Sequence, residues 1–254
     1  MRRFWPFLLF AVIAVVHVVV LLVGGDSLAS KAALMPVLLF AVMLVCGFIA
    51  RETLSTGRGI AGMILLELAI LVAWLTDIIF DRFGDASLRD AAGIVASSVT
   101  LAIFIALFAG PVRGRWRWWA AAPYVVASGG FLAFMVPRMG VFAPLVIVYA
   151  LIVSALAFLA TGAGGVAAAG GTAFYVSAIL KGLRLFAPDT VAAVPAHVLD
   201  ATIMAFYCAG LGLLALGATR RLVALGAEAA LVRRKTATAP LWRIMPSMGH
   251  SRMR

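Results

Sequence analysis

Acidic residues are scarce in this chain: ten Asp and Glu stand against 21 Lys and Arg in 254 residues. Charged residues of both signs make up 12% of the composition, about half the share usual in a soluble domain. Cysteine is almost absent. Cys46 and Cys208 both fall inside apolar runs, with no CxxC or mixed His/Cys spacing around them. That excludes a disulfide framework or a zinc site and leaves two small core residues. There is no Walker loop, no HExxH, no GxSxG, and no GxGxxG following a strand, so the common phosphate-binding, zinc-protease and serine-hydrolase arrangements are missing. Neither a metal nor an organic cofactor is expected.

Apolar residues are plentiful. They make up 65% of the chain, and the mean hydropathy is +1.12. No soluble core needs that much apolar surface, so the composition specifies a polytopic membrane protein. The net charge of +11 and pI near 11.0 would suggest nucleic acid in a soluble protein. Here the bases lie between and after apolar runs, where they set topology. Arg113, Arg115 and Arg117 alternate with Trp116, Trp118 and Trp119 beside one such run. That mixture suits an interfacial belt, and no nucleic-acid partner is expected.

Eight runs are long enough to cross a bilayer, which takes roughly 20 apolar residues. They are Phe4 to Val23, Lys31 to Ala50, Ile60 to Phe80, Ala91 to Ala109, Trp118 to Val136, Val141 to Ala160, a small-residue helix after Thr161–Gly164 reaching Phe186, and Pro195 to Leu216. The expected fold is therefore all-α, a membrane helical bundle of about eight spans. Pro123 and Gly129-Gly130 predict a kink in the fifth. Ser97, Ser98 and Thr100 are available for bonds between helices. Residues 1–217 form the membrane domain, and 218–254 a basic tail in which a short surface helix on anionic lipid precedes a disordered end. With eight spans, 15 of the 21 Lys and Arg lie on the side of the termini. The other six are Lys31, Arg82, Arg89, Arg138, Lys181 and Arg184. The bias places both termini in the cytoplasm of a bacterial-type inner membrane.

Against this background a carboxylate inside a span is costly, about 2.5–3.5 kcal/mol for Asp at mid-depth. Asp77 is such a group, close to the end of the third run, with Asp81 one turn on. Glu67 is deeper but about 80° round the helix. His17 lies in the first run and reads as a packing contact. In the last run His197 and Asp200 are one turn apart on a common face, with Tyr207 further along.

Four stretches, in order, resemble the YhhN family of bacterial membrane proteins, whose characterised members are lysoplasmalogenases. They are Ser30-Lys31-Ala32-Ala33-Leu34-Met35-Pro36, Leu75-Thr76-Asp77-Ile78, Pro144 to Leu151, and Gly171 to Phe186. The resemblance covers about Lys31 to Gly217. It implies a bundle that hydrolyses the vinyl ether bond of lysoplasmalogens to a fatty aldehyde and glycerophosphoethanolamine or glycerophosphocholine. The chemistry suits carboxylates in an apolar site, where burial lets a carboxylic acid keep its proton near neutral pH. One acid protonates the enol-ether carbon, and a second carboxylate stabilises the cation and orients water, a division of labour known from glycoside hydrolysis.

Asp77 is the candidate acid. Two departures stand out. Thr76-Asp77 replaces the family's Gly-Asp, and Ser177-Ala178 replaces its Ser-Asp in the seventh helix. Asp200 is the candidate for the second carboxylate. Lys31, Tyr149, Ser177, Lys181 and Arg184 are candidate substrate contacts, the cations for a lipid phosphate. Ordinary interfacial anchoring is the alternative for each. The expected partners are a membrane lipid or lysolipid substrate, and an anionic lipid surface under the basic tail. Two rival functions remain: a non-catalytic lipid-binding relative that has lost the second Asp at Ala178, and a small proton-coupled transporter using Glu67, Asp77 and Asp200.

Overall fold

The computed structural model describes residues 4–24, 28–79 and 86–237. Among these there are eight α-helices and no strands. They are α1 (Pro6–Leu22), α2 (Leu28–Met43), α3 (Gly57–Ile79), α4 (Ala86–Ala109), α5 (Ala122–Met139), α6 (Ala143–Ala163), α7 (Gly165–Phe186) and α8 (Ala196–Ala237). Six helical segments are long and apolar enough to cross a membrane. One of these, Trp118–Ala163, contains both α5 and α6, while α1 is a shorter apolar helix of 17 residues. Asp81, Arg82 and Arg89, which the sequence places near the third and fourth spans, lie outside the residues whose side chains are described, as does the tail beyond Ala237.

Local sequence explains the boundaries. Pro6, Pro123 and Pro144 occupy the first turns of α1, α5 and α6, where a missing N–H costs nothing. Pro123 thus starts the fifth helix rather than interrupting it. A single residue, Gly164 at φ +120°, joins α6 to α7. Only glycine tolerates that backbone without strain. The α2 helix loosens into a π-helical turn at Leu44–Ile49 and passes through a 3₁₀ turn at Arg51–Ser55 before α3.

Packing follows small residues. A methyl group added at Gly217 would lie 2.7 Å from Ala167, one at Gly170 2.5 Å from the Leu214 backbone, and one at Gly210 2.8 Å from Phe174. These pairs define an antiparallel α7–α8 contact in which the backbones nearly touch, the close approach that small residues permit between membrane helices. The glycine-rich stretch is thus a helix face. Likewise α3 runs antiparallel to α8, with Gly62 against Leu222 at one end and Asp77 against Tyr207 at the other. Fully buried Phe104, Phe108, Leu38, Leu66, Ile70 and Leu211 fill the centre. Outward-facing Val12, Val16, Val125, Val126, Val148 and Leu151 are exposed, as expected of a surface that meets lipid rather than water.

The α8 helix differs from expectation. It runs unbroken for 42 residues, about 63 Å, through positions 217 and 218 where the sequence suggests a boundary. Its far half is docked rather than loose. A methyl group at Gly226 would strike the Thr53 backbone at 2.7 Å, and the Arg233 guanidinium donates to the Ser55 carbonyl.

Candidate active site

Short connections make successive helices alternate in direction. The last turns of α1, α3, α5 and α7 and the first turns of α2, α4, α6 and α8 therefore share one end of the bundle. Asp77, Lys31, Lys181, Arg184 and Asp200 all belong to that end.

Asp77 is half-buried, and the Tyr207 hydroxyl donates to its Oδ2 at 2.9 Å. The Tyr207 ring packs on Phe174, with centroids 5.6 Å apart. One turn before Asp77, the Trp74 indole N–H donates to the Ala32 carbonyl at 3.0 Å and ties α3 to α2. The acid is thus held between three helices. Tyr207 stands in the sequence reading without a role, and its partnership with Asp77 spans 130 positions. No local spacing could reveal it.

Asp200 forms an ion pair with Arg184 of α7. It lies seven residues before Tyr207 on α8, which is two turns, so both share a face about 10 Å apart. Asp200 and the Tyr207 that holds Asp77 thus stand two turns apart along α8. Ser177 is buried and donates to the Ile203 carbonyl at 2.9 Å, which makes it a fastening between α7 and α8. His17 is buried with Nδ1 2.9 Å from the Ser30 hydroxyl. Lys31, the next residue on α2, is half-buried. Glu67 has a buried Oε1 without a hydrogen-bond partner among the described residues. Ser98 and Thr100 donate to Ile94 and Ala96 of their own helix, so the expected bonds between helices are not made there.

A narrow cleft of about 50 Å³ opens among α4, α5, α6 and α7. Ser128, Tyr149, Tyr175, Ala178 and Lys181 line it. Ala178, the residue standing where the resemblance implies an acid, therefore faces this space. Asp77 does not line the cleft. Tyr149 does. A wider apolar groove of about 780 Å³ runs between α1 and α8, with Arg220 at one end stacked over Phe4.

The cleft also exposes a hydroxyl network that the sequence reading passes over. Ser128 Oγ is 2.6 Å from Ser154 Oγ and 2.7 Å from Tyr175 Oη. These residues are 26 and 47 positions apart, and isolated serines and tyrosines in apolar runs give no pattern to find.

No curated protein and no solved structure matches the chain. The YhhN family model matches residues 26–218, most of the chain and nearly all of α2 to the middle of α8. With the matched region containing Asp77, Tyr149, Ala178 and Asp200 alike, the chain belongs to the YhhN family.

Proposed function

We propose that this protein is a lysoplasmalogenase-like membrane hydrolase with eight spans and both termini in the cytoplasm. The Asp77–Tyr207 contact carries the reading: an acid in a family segment, sheltered between helices and oriented by a hydroxyl at 2.9 Å. In the reaction, protonated Asp77 gives its proton to the enol-ether carbon remote from oxygen, leaving an oxocarbenium ion. Water adds to the carbon bonded to oxygen, and the Asp77 carboxylate takes the released proton. Returned to the ether oxygen, that proton lets the hemiacetal collapse to aldehyde and the glycerophospho-alcohol, while the hemiacetal hydroxyl proton passes back to Asp77.

Asp200 suits the second role. Its ion pair with Arg184 suits charge stabilisation rather than proton donation. Lys31 and Lys181, at the same end, suit a phosphate, and Tyr149 in the cleft lining suits a substrate contact. The bases at the opposite end and on the α8 extension fit a cytoplasmic, anionic lipid surface. The α1 helix, about 25 Å long, completes the eight crossings.

The test is aldehyde release from a lysoplasmenyl lipid by the purified protein. Release that vanishes in Asp77→Asn supports the reading; no release, or full release from Asp77→Asn, removes it. A second reading, a non-catalytic lipid-binding relative, is favoured by Ala178 lining the cleft. Under that reading the wild type is silent and Ala178→Asp gains activity.

A further inference from the structure

The hydrogen atoms of the cleft's hydroxyl network can be assigned from its geometry. Ser154 donates to the Ala150 carbonyl at 2.6 Å. A hydroxyl has one hydrogen, so at 2.6 Å from Ser128 it is Ser154 that accepts. The Ser128 hydrogen is therefore spent, and the 2.7 Å contact with Tyr175 must use the Tyr175 hydrogen. That hydrogen is shared at most with the Tyr124 carbonyl, 3.3 Å away. The relay runs from Tyr175 to Ser128 to Ser154 to a backbone oxygen. Every hydrogen is committed inward, while lone pairs on Tyr175 and Ser128 remain.

Both residues are buried, each 6% exposed, and both line the cleft. These two hydroxyls accept hydrogen bonds and cannot donate them, whereas Ser97, Tyr149 and Lys181 line the same cleft with donors of their own. A ligand group seated against Tyr175 and Ser128 must bring its own hydrogen. A cationic group is disfavoured there. The charged side chain among the described lining residues is the cation Lys181, and no carboxylate among them could balance an ammonium. An uncompensated charge in an apolar site is far more costly than a hydroxyl. The space of about 50 Å³ holds one or two small groups, given about 30 Å³ for a water molecule. Lys181 lies six residues past Tyr175, about 9 Å along α7, where a phosphate next to that hydroxyl would find it.

We propose that Tyr175 and Ser128 form an acceptor site for the free central hydroxyl of a lysophospholipid, and that this site makes the protein select lysolipids over lipids whose central oxygen is substituted. The proposal rests on the lipid-hydrolase reading for its biological meaning, but its test does not. The probes are a saturated alkyl-ether lysophospholipid with a free central hydroxyl, its deoxy analogue, and its methoxy analogue. None carries a vinyl ether, so binding is read without turnover. Affinity is measured by calorimetric titration of the purified protein in detergent.

The hydroxyl lipid should bind roughly tenfold tighter than the deoxy analogue, the effect of leaving buried acceptors unpaired. Tyr175→Phe should remove most of that difference. Ser154→Ala should instead raise the affinity of the methoxy analogue, because the freed Ser128 hydrogen can then donate to its oxygen. Equal affinities of the hydroxyl and deoxy lipids for wild-type protein overturn the proposal, even if the methoxy analogue binds weakly for its bulk. If the preference holds while no aldehyde is released from a lysoplasmenyl lipid, the acceptor site stands and the hydrolase reading falls. If aldehyde is released without the preference, the opposite follows.

Discussion

Tyr207 and Asp77 are joined by a 2.9 Å hydrogen bond from α8 to α3, two helical turns along α8 from the Arg184–Asp200 ion pair. One contact orients an acid, and the other pairs a carboxylate with a cation.

Removing the hydroxyl while keeping the ring separates orientation from packing. Tyr207→Phe should retain the Phe174 ring contact and lower aldehyde release by roughly ten- to a hundredfold, less than the loss of a general acid, typically about 10²–10⁴-fold. Turnover assays on Tyr207→Phe and Asp77→Asn, run beside each other, decide it. Equal loss in both would mean that the tyrosine takes part in proton transfer.

Asp200 can be tested against its partner. Asp200→Asn should lower turnover with little change in lipid affinity, since a charge acting on the cation matters only in the transition state. Arg184→Gln should weaken substrate binding instead. A KM-against-kcat comparison of the two variants distinguishes these effects.

Stability should depend on the α7–α8 seam. Gly217→Leu forces a branched side chain into a space where a methyl already meets Ala167 at 2.7 Å. Overpacking of this kind costs about 1–3 kcal/mol. Thermal unfolding in detergent should show a lower midpoint than for Gly129→Leu, where a methyl has nothing within 4 Å.

The extension of α8 should protect the α2–α3 connection. Gly226→Leu would collide with the Thr53 backbone and part the two segments. Limited proteolysis within Arg51–Ser55 should then accelerate, while cleavage at the opposite end of the bundle stays unchanged.

The helices were legible in the sequence because apolar runs and prolines act locally. The break at Gly164 followed from glycine, although Thr161–Ala163, expected in the loop, complete α6, and the Asp77 segment followed from its cost in lipid. What stayed hidden is pairing across the bundle. Tyr207, Tyr175, Ser128 and Ser154 gain meaning only from neighbours on other helices. The length of α8 was hidden for another reason. Charged residues after Thr219 mark the end of a membrane crossing, but backbone hydrogen bonding does not stop there, and docking on Thr53 and Ser55 sustains the helix. Ser98 and Thr100 failed as links between helices because a carbonyl one turn back is the nearer acceptor.

The one-residue joint at Gly164 has a bearing on how the chain enters the bilayer. It leaves no stretch that could wait in water while one arm inserts, and an unpaired extended backbone is not tolerated in hydrocarbon. Helices α6 and α7 are therefore expected to enter together, as a hairpin. A side chain at that joint would meet no neighbour but would strain the backbone that sets the hairpin's turn.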